Sequence, residues 1–353
     1  MSAPTRHGDP ADDPTAVLRR IRGRARRRRT TAGLVVAGAA LAAFVTSLSV
    51  GAQGLGPGDV LAALTGLGTP RTELVVLRLR MPRALTALLV GAALGLAGAL
   101  FQRVLRNTLA SPDVIGVGAG AAVGAVTASV VLGLSAAGTS AGAVAGAVAV
   151  ALLISVLARR DGLGGTRFVL VGVGIGSAAM AVVSYLMITA SLTTAQQTLV
   201  WLTGSVTETG WSTAVPLALA CTVLVPAGLL LARALPRLEL GDDTATALGL
   251  PVGRARTALL AVAVLLVAAA VAAAGPVSFV ALVSGPLAAR LAGPGRASLP
   301  HAAGVGAALV LFADVVARTL IAEVALPAGV VTGAIGAPYL LWLLARSRTG
   351  GTP

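Results

Sequence analysis

The sequence has 353 residues, of which 56% are hydrophobic and only 11% are charged, and its mean hydropathy is +0.90. Soluble domains carry about 25% charged residues, so this composition excludes an ordinary soluble protein. All 27 basic residues are arginines, which excludes a Walker A loop because that motif needs a lysine at the nucleotide phosphates.

Residues 1–30 form a polar, proline-containing segment with nine arginines. Low hydrophobicity and high net charge predict disorder for this segment. The net charge of +14 would suit nucleic acid, but the arginines run up to the first apolar segment, which is typical of a tail beside anionic lipid headgroups. We therefore predict a basic cytoplasmic tail over 1–30 that contacts membrane lipid and binds no nucleic acid.

Ten apolar segments, most of them long enough to cross a bilayer as a helix, follow the tail. We place them at 32–50, 84–102, 114–133, 140–158, 168–190, 212–232, 256–274, 277–292, 301–321 and 329–345. Backbone polar groups in lipid must be bonded within their own segment, so the repeated runs predict an all-α, polytopic membrane protein. Its transmembrane domain would cover 31–348, with a short tail at 349–353.

The distribution of arginines orients these segments. With the N-terminus in the cytoplasm and ten spans, 22 arginines fall on the cytoplasmic side. The five on the other side are Arg71, Arg78, Arg80, Arg83 and Arg318. The positive-inside rule thus predicts an N-in, C-in topology in the cell membrane. Because four of these five arginines cluster within 71–83, on the disfavoured side, this cluster is a candidate for function.

The apolar segments are rich in glycine, as in Gly91-x-x-x-Gly95 and Gly142-x-x-x-Gly146. Small residues at this spacing let helix backbones approach closely in lipid. Gly172, Gly174 and Gly176 do not form a dinucleotide fingerprint, because they lie inside an apolar run with no strand before them. They predict close packing or the smooth wall of a translocation path, so Gly172 and Gly176 are candidate path residues.

Asp314 is the one carboxylate that lies clearly inside a predicted span, and Arg318 follows it at i+4. This spacing favours an ion pair within the helix over a proton relay, because charges within membranes usually pair. The lone Cys221 and the distant His7 and His301 provide no metal-ligand cluster or hydrolytic triad. We therefore expect no enzyme activity, no cofactor and no metal site.

The sequence Arg80-Met81-Pro82-Arg83 precedes the second span, with Pro82 well placed at a helix start. Both arginines are expected to point outward near the membrane surface. Two readings stay open on physical grounds. Snorkelling arginines would anchor the helix at the interface, whereas guanidinium groups would also suit a docking site for the carboxylates of a soluble partner.

A polar, charged loop at 237–256 interrupts the apolar runs. Asp242 and Asp243 are expected to cap a short helix, with Ala245 and Leu248 on one side, and Gly249 to end it. The pattern fits an ordinary loop or a short cytoplasmic lever that docks in the groove of a partner protein.

The order and spacing of several motifs resemble the FecCD-like iron-chelate and vitamin B12 permeases of ABC importers, which have the type II importer fold. The resemblance covers nearly all of 73–346. Its motifs are Arg80-Met81-Pro82-Arg83, Arg106-Asn107-Thr108-Leu109-Ala110-Ser111-Pro112, Trp201-Leu202-Thr203-Gly204-Ser205, Leu240-Gly241-Asp242-Asp243, Gly275-Pro276-Val277-Ser278-Phe279, Ala313-Asp314 with Arg318, and Leu326-Pro327-Ala328-Gly329.

This resemblance implies two permease subunits, as a homodimer or a heterodimer, with two ABC ATPase subunits below and an extracytoplasmic substrate-binding protein outside. It implies ATP-driven import, for which we expect a ferric siderophore as substrate, with cobalamin or haem as alternatives. A carrier driven by an ion gradient through Asp314 is the less favoured alternative mechanism.

The resemblance also assigns roles to residues. ATPase coupling would fall to the loop matching 239–253, through Gly241, Asp242, Asp243, Ala245, Leu248 and Gly249. Docking of the binding protein would fall to Arg80, Arg83 and Arg318, which gives Arg318 a second role beside its pairing with Asp314. Thr108 and Leu287 depart from the family pattern, which usually has proline and histidine there.

Overall fold

The computed structural model describes residues 14–51, 54–158, 166–293, 298–320 and 326–348, and all regular elements over these ranges are helical. The helices are α1 (Pro14–Ser49), α2 (Pro57–Leu64), α3 (Pro70–Glu73), α4 (Met81–Val104), α5 (Val117–Val126), α6 (Ala136–Leu157), α7 (Thr166–Thr189), α8 (Leu192–Leu202), α9 (Trp211–Leu231), α10 (Leu235–Leu238), α11 (Asp242–Ala247), α12 (Val252–Ala274), α13 (Val280–Ala292), α14 (Leu299–Thr319) and α15 (Ala328–Arg348). A π-helical stretch, Leu74–Arg80, joins α3 to α4, and a second one, Thr127–Val131, extends α5. The prediction of an all-α fold is confirmed.

Each of the ten predicted apolar segments lies on a helix. Within the described residues, seven helices are long and apolar enough to cross a membrane, and three shorter apolar helices lie at Val117–Val131, Val280–Ala292 and Ala328–Trp342. The number of helices that span the bilayer and the N-in, C-in topology stay predictions. The short helix α8, between the fifth and sixth segments, was not expected from the sequence.

The basic tail differs from its prediction. Residues 14–30 were expected to be disordered, but α1 begins at Pro14 and runs without interruption to Ser49. The apolar half of α1 packs on the bundle, so helix propagation from that half into the arginine-rich half explains the difference. The rest of the predicted tail, 1–13, and the predicted C-terminal tail, 349–353, lie outside the described residues.

The central helix is α4, which packs against α9, α12, α13 and α14. Glycines make these crossings close: Gly91 and Gly95 face the backbone of α14 at Gly306, and Gly98 faces Ala281 on α13. A second crossing joins α5 to α6 through Gly120, Gly124, Gly142 and Gly146. The predicted close packing at Gly91-x-x-x-Gly95 and Gly142-x-x-x-Gly146 is confirmed, because small residues let backbones meet without side chains between them.

The bundle has two chemically different ends. At the end we call the loop end, Arg103 at the C-terminus of α4 pairs with Glu239 at 3.2 Å and donates to Ser298 Oγ at 3.0 Å. The opposite end, which we call the arginine end, contains the C-terminus of α1, the start of α4 and the C-terminus of α14. There Arg80 and Arg318 contact the last residues of α1.

Candidate functional site

The short helix predicted in the polar loop is present as α11 (Asp242–Ala247). Its N-cap is Gly241, with φ of +103°, so the prediction that an aspartate caps the helix is wrong. Asp242 is instead the first helical residue, and its carboxylate accepts from Arg256 Nη2 at 2.7 Å and Nη1 at 2.8 Å. Both aspartates still lie in the first turn, where negative charge stabilises a helix.

The end of α11 follows the sequence prediction. Gly249 has φ of +75° and donates its N–H to Thr246 O at 2.9 Å, while the next N–H, that of Leu250, donates to Ala245 O at 3.0 Å. These two bonds form a Schellman motif, in which a left-handed residue closes the last turn. Glycine suits this position because it adopts a positive φ without a Cβ penalty.

The two apolar residues of the predicted lever have different environments. Ala245 is fully buried, whereas Leu248 is 54% exposed. The sequence predicted that both lie on one side of the helix, but only Leu248 is exposed, while Ala245 is buried and its carbonyl accepts from the N–H of the buried Leu250. The exposed apolar side chains of this loop include Leu248 and Leu240, the second of which lies in a family motif but was assigned no coupling role from the sequence.

Ion pairs and a hydrogen bond connect α11 and the residues beside it to α12 and to the segment after α4. Asp242 connects α11 to Arg256 on α12, and Arg106, just after α4, lies 3.4 Å from the same carboxylate and donates to Leu238 O. Arg106 has a positive φ of +50°, which is uncommon for a residue with a Cβ. A displacement of α11 would therefore act on α12 directly and on α4 through Arg106.

Asp113 lies in the loop between α4 and α5. Desolvation raises the pKa of its carboxyl group to about 6 from 3.8, against the opposing effect of a hydrogen bond from Ser111. The folded chain thus holds this proton to higher pH than an unfolded chain does. The contribution of Asp113 to stability is full below its ordinary pKa of 3.8 and is lost as the pH rises through about 6.

Asp314 is the centre of the arginine end, and its side chain is 1% exposed. Arg318 Nη2 lies 2.8 Å from Asp314 Oδ2, one helical turn away on α14. Arg83 of α4 binds the same carboxylate, with Nη2 at 2.7 Å and Nε at 3.0 Å from Oδ1. The sequence indicated the first partner through its i+4 spacing, whereas the second comes from a residue 231 positions away.

Arg80 does not point outward as expected. It is 8% exposed, and its Nη1 donates to Leu48 O and Ser49 O, each at 2.7 Å. Arg318 Nη2 also donates to Ser47 Oγ at 2.7 Å. Arg80 satisfies carbonyl groups at the C-terminus of α1, which a helix end leaves without intrahelical donors, and Arg318 Nη1 lies 3.4 Å from a third, Ser47 O. Arg83 and Arg318 keep some access to the surface, with side chains 14% and 12% exposed.

Gly172 and Gly176 pack against the start of α5. A Cβ at Gly172 would lie 2.7 Å from Ile115 O, and one at Gly116 would lie 3.0 Å from Gly176 Cα. Gly174, between them on another side of α7, has no such neighbour. Close packing therefore explains the first two glycines, and their role in a translocation path stays a prediction.

The two departures from the family pattern lie in ordinary surroundings. Thr108 is exposed, and the turn around it is held by Asn107 Oδ1, which accepts from Leu109 N at 2.9 Å. Leu287 packs at the edge of the main core. Among the residues that the structure describes, no group of three histidine, cysteine or acidic side chains could hold a metal ion.

The repeated apolar helices, with a short charged helix bound at one end and an arginine cluster at the other, define a multi-pass membrane protein. The chain belongs to the FecCD transport family, whose sequence model matches residues 33–346. It is therefore a transport subunit rather than an enzyme.

Individual relatives extend this result. The chain is 41% identical over 311 residues to the ferric enterobactin transport system permease protein FepG of Escherichia coli (strain K12), covering 88% of this chain and 94% of that protein. It is 38% identical to the vitamin B12 import system permease protein BtuC of Escherichia coli O9:H4 (strain HS), covering 87% and 93%.

A solved structure described as an inward-facing conformation of a metal-chelate type ABC transporter superposes with a TM-score of 0.79. The two chains are 28% identical, and the match covers 89% of this chain and 98% of the other. The fold is thus that of a type II ABC importer permease.

Proposed function

We propose that this chain is the membrane-spanning subunit of an ATP-driven importer that carries a ferric siderophore across the cell membrane. ATP would be hydrolysed by two separate ATPase subunits at the loop end, and an extracytoplasmic binding protein would deliver the substrate at the arginine end. The observation that carries this proposal is α11, a short helix that exposes Leu248 and is bound through Asp242 to Arg256 of α12. The 41% identity to a ferric enterobactin permease supports the iron chelate as substrate.

Cobalamin is the second candidate substrate, because the chain is also 38% identical to a vitamin B12 permease. An ion-gradient-driven carrier is less favoured, since a proton relay needs an unpaired carboxylate and Asp314 is bound to two arginines. A second permease subunit, identical or related, would cover the exposed apolar side chains of α7, such as Tyr185 and Ile188. Gly172 and Gly176 would then lie on the helix that faces the path.

Uptake by reconstituted vesicles tests this function. The chain, with its ATPase and binding-protein partners, is expected to accumulate a ferric catecholate when ATP is supplied, and not when only a proton gradient is imposed. Uptake of cobalamin instead would move the assignment to the second substrate. Uptake driven by the gradient without the ATPase would contradict the proposal.

The docking role of the arginine end predicts a specific loss of affinity. Arg83→Gln is expected to weaken binding of the cognate substrate-binding protein about tenfold and to reduce the salt dependence of binding, because a charge that meets a carboxylate is removed. Surface plasmon resonance on the assembled importer at two salt concentrations measures both. Arg71→Gln, an exposed arginine at the start of α3, is the matched control. Equal affinities for Arg83→Gln and the wild type would refute the docking role of Arg83.

A further inference from the structure

The arginine end presents three arginines around a single buried carboxylate. Arg83 and Arg318 bind Asp314, while Arg80 is held by carbonyl groups at the end of α1. We propose that a carboxylate of the docking protein displaces Asp314 from Arg83, so that docking exchanges one acidic partner of Arg83 for another. The inference rests on the docking role proposed above and adds its mechanism: Asp314 is an internal competitor for the partner.

Of the two arginines on Asp314, Arg83 is the easier to exchange. Arg318 lies on the same helix as Asp314 and is also fixed to α1 through Ser47 Oγ at 2.7 Å. Arg83 comes from α4, and its other described hydrogen bond, to Thr207 Oγ1, is 3.3 Å long. Besides its bonds to Asp314, rotation of Arg83 would break a 3.3 Å hydrogen bond to Thr207, whereas rotation of Arg318 would break the shorter 2.7 Å bond to Ser47 Oγ.

Asp314 would remain compensated after the exchange. A buried carboxylate without a partner is strongly unfavourable, but Arg318 would still lie 2.8 Å from Asp314 Oδ2. The helices would also stay together, because α4 and α14 meet through the backbones of Gly91 and Gly306 rather than through this ion pair alone. The exchange is thus confined to side chains.

The chemistry of the cluster specifies its partner. Two guanidinium groups, those of Arg83 and Arg318, share one carboxylate, so the pairing leaves a net positive charge that attracts a second carboxylate. Because the guanidinium of Arg83 already makes a forked contact with Asp314 Oδ1, it has the geometry to bind an aspartate or glutamate side chain in the same way. The partner is therefore expected to present an acidic side chain on a protein surface.

Asp314→Asn tests the exchange, because it removes the competing charge with little change of shape. The dissociation constant of the cognate binding protein for the assembled importer is expected to fall about fivefold or more, and this gain is expected to vanish in an Arg83→Gln background. Glu208→Gln removes an equal charge from an exposed residue next to Thr207, and it controls for the effect of losing one negative charge near the arginines. An unchanged affinity, a similar gain in Glu208→Gln, or a gain that persists without Arg83 would overturn the exchange.

Thr207→Val provides a second test if Asp314→Asn does not accumulate in membranes. It removes the second hydrogen bond of Arg83 without altering any charge, and the affinity is expected to rise about twofold, as for one weak hydrogen bond. An unchanged or lower affinity would contradict the exchange. The two proposals fail separately: no effect of Arg83→Gln alone refutes docking, whereas weaker binding in Arg83→Gln without a gain in Asp314→Asn or Thr207→Val refutes only the exchange.

Discussion

Replacement of Leu248 by aspartate is expected to reduce substrate-stimulated ATP hydrolysis and uptake strongly while the subunit still assembles in the membrane. Leu248 is the exposed apolar residue at the end of α11, and a central apolar contact in a protein interface contributes roughly 2 kcal/mol or more. Loss of such a contact corresponds to a decrease of about thirtyfold in coupled activity. Because Leu248 packs little against its own chain, the fold does not depend on it.

Coupled ATPase activity and uptake in reconstituted vesicles measure this effect, and the yield of folded subunit from membranes measures assembly. Leu67→Asp is the matched control, since Leu67 is 82% exposed and lies in the loop after α2, far along the sequence from α11. That variant is expected to retain coupling. Normal coupled transport in Leu248→Asp would exclude α11 as the contact that receives force from the ATPase.

Replacement of Gly91 by valine is expected to prevent α4 and α14 from packing. Even a single Cβ at Gly91 would overlap the carbonyl oxygen of Gly306, and a backbone atom in a helix cannot move aside as a flexible side chain can. Overpacking of a well-packed site costs about 1–3 kcal/mol and often more when a backbone is displaced. The loss is expected to be large because α4 is the central helix of the bundle.

Thermal unfolding in detergent and the fraction of monodisperse protein measure this loss. Gly174→Val is the control, because Gly174 also lies in an apolar helix but a Cβ there meets no atom within 4 Å. The control is expected to unfold close to the wild-type temperature. Equal stability of both variants would show that the α4–α14 crossing tolerates separation.

Much of the fold could be predicted because its signals are local. The length and hydropathy of each apolar run place a helix, since a helix in lipid must satisfy its backbone within its own segment. The end of α11 was equally predictable, because a left-handed glycine closes a helix through hydrogen bonds within its own last turn. The start of α1 could not be predicted, because packing of its apolar half extends the helix into a segment whose composition predicts disorder.

In the candidate sites, too, some features follow from the local sequence and others from the packing of distant helices. The sequence by itself determined an all-helical membrane transport protein, a short helix in the loop 237–256 and the spacing of Asp314 with Arg318, because each depends on residues close in the chain. Only the tertiary structure decided that Arg83 shares Asp314, that Arg80 turns inward to the end of α1, and that Ala245 is buried while Leu248 is exposed. These features depend on which helices meet, and contacts between residues as distant as Arg83 and Asp314 arise from packing of the whole bundle.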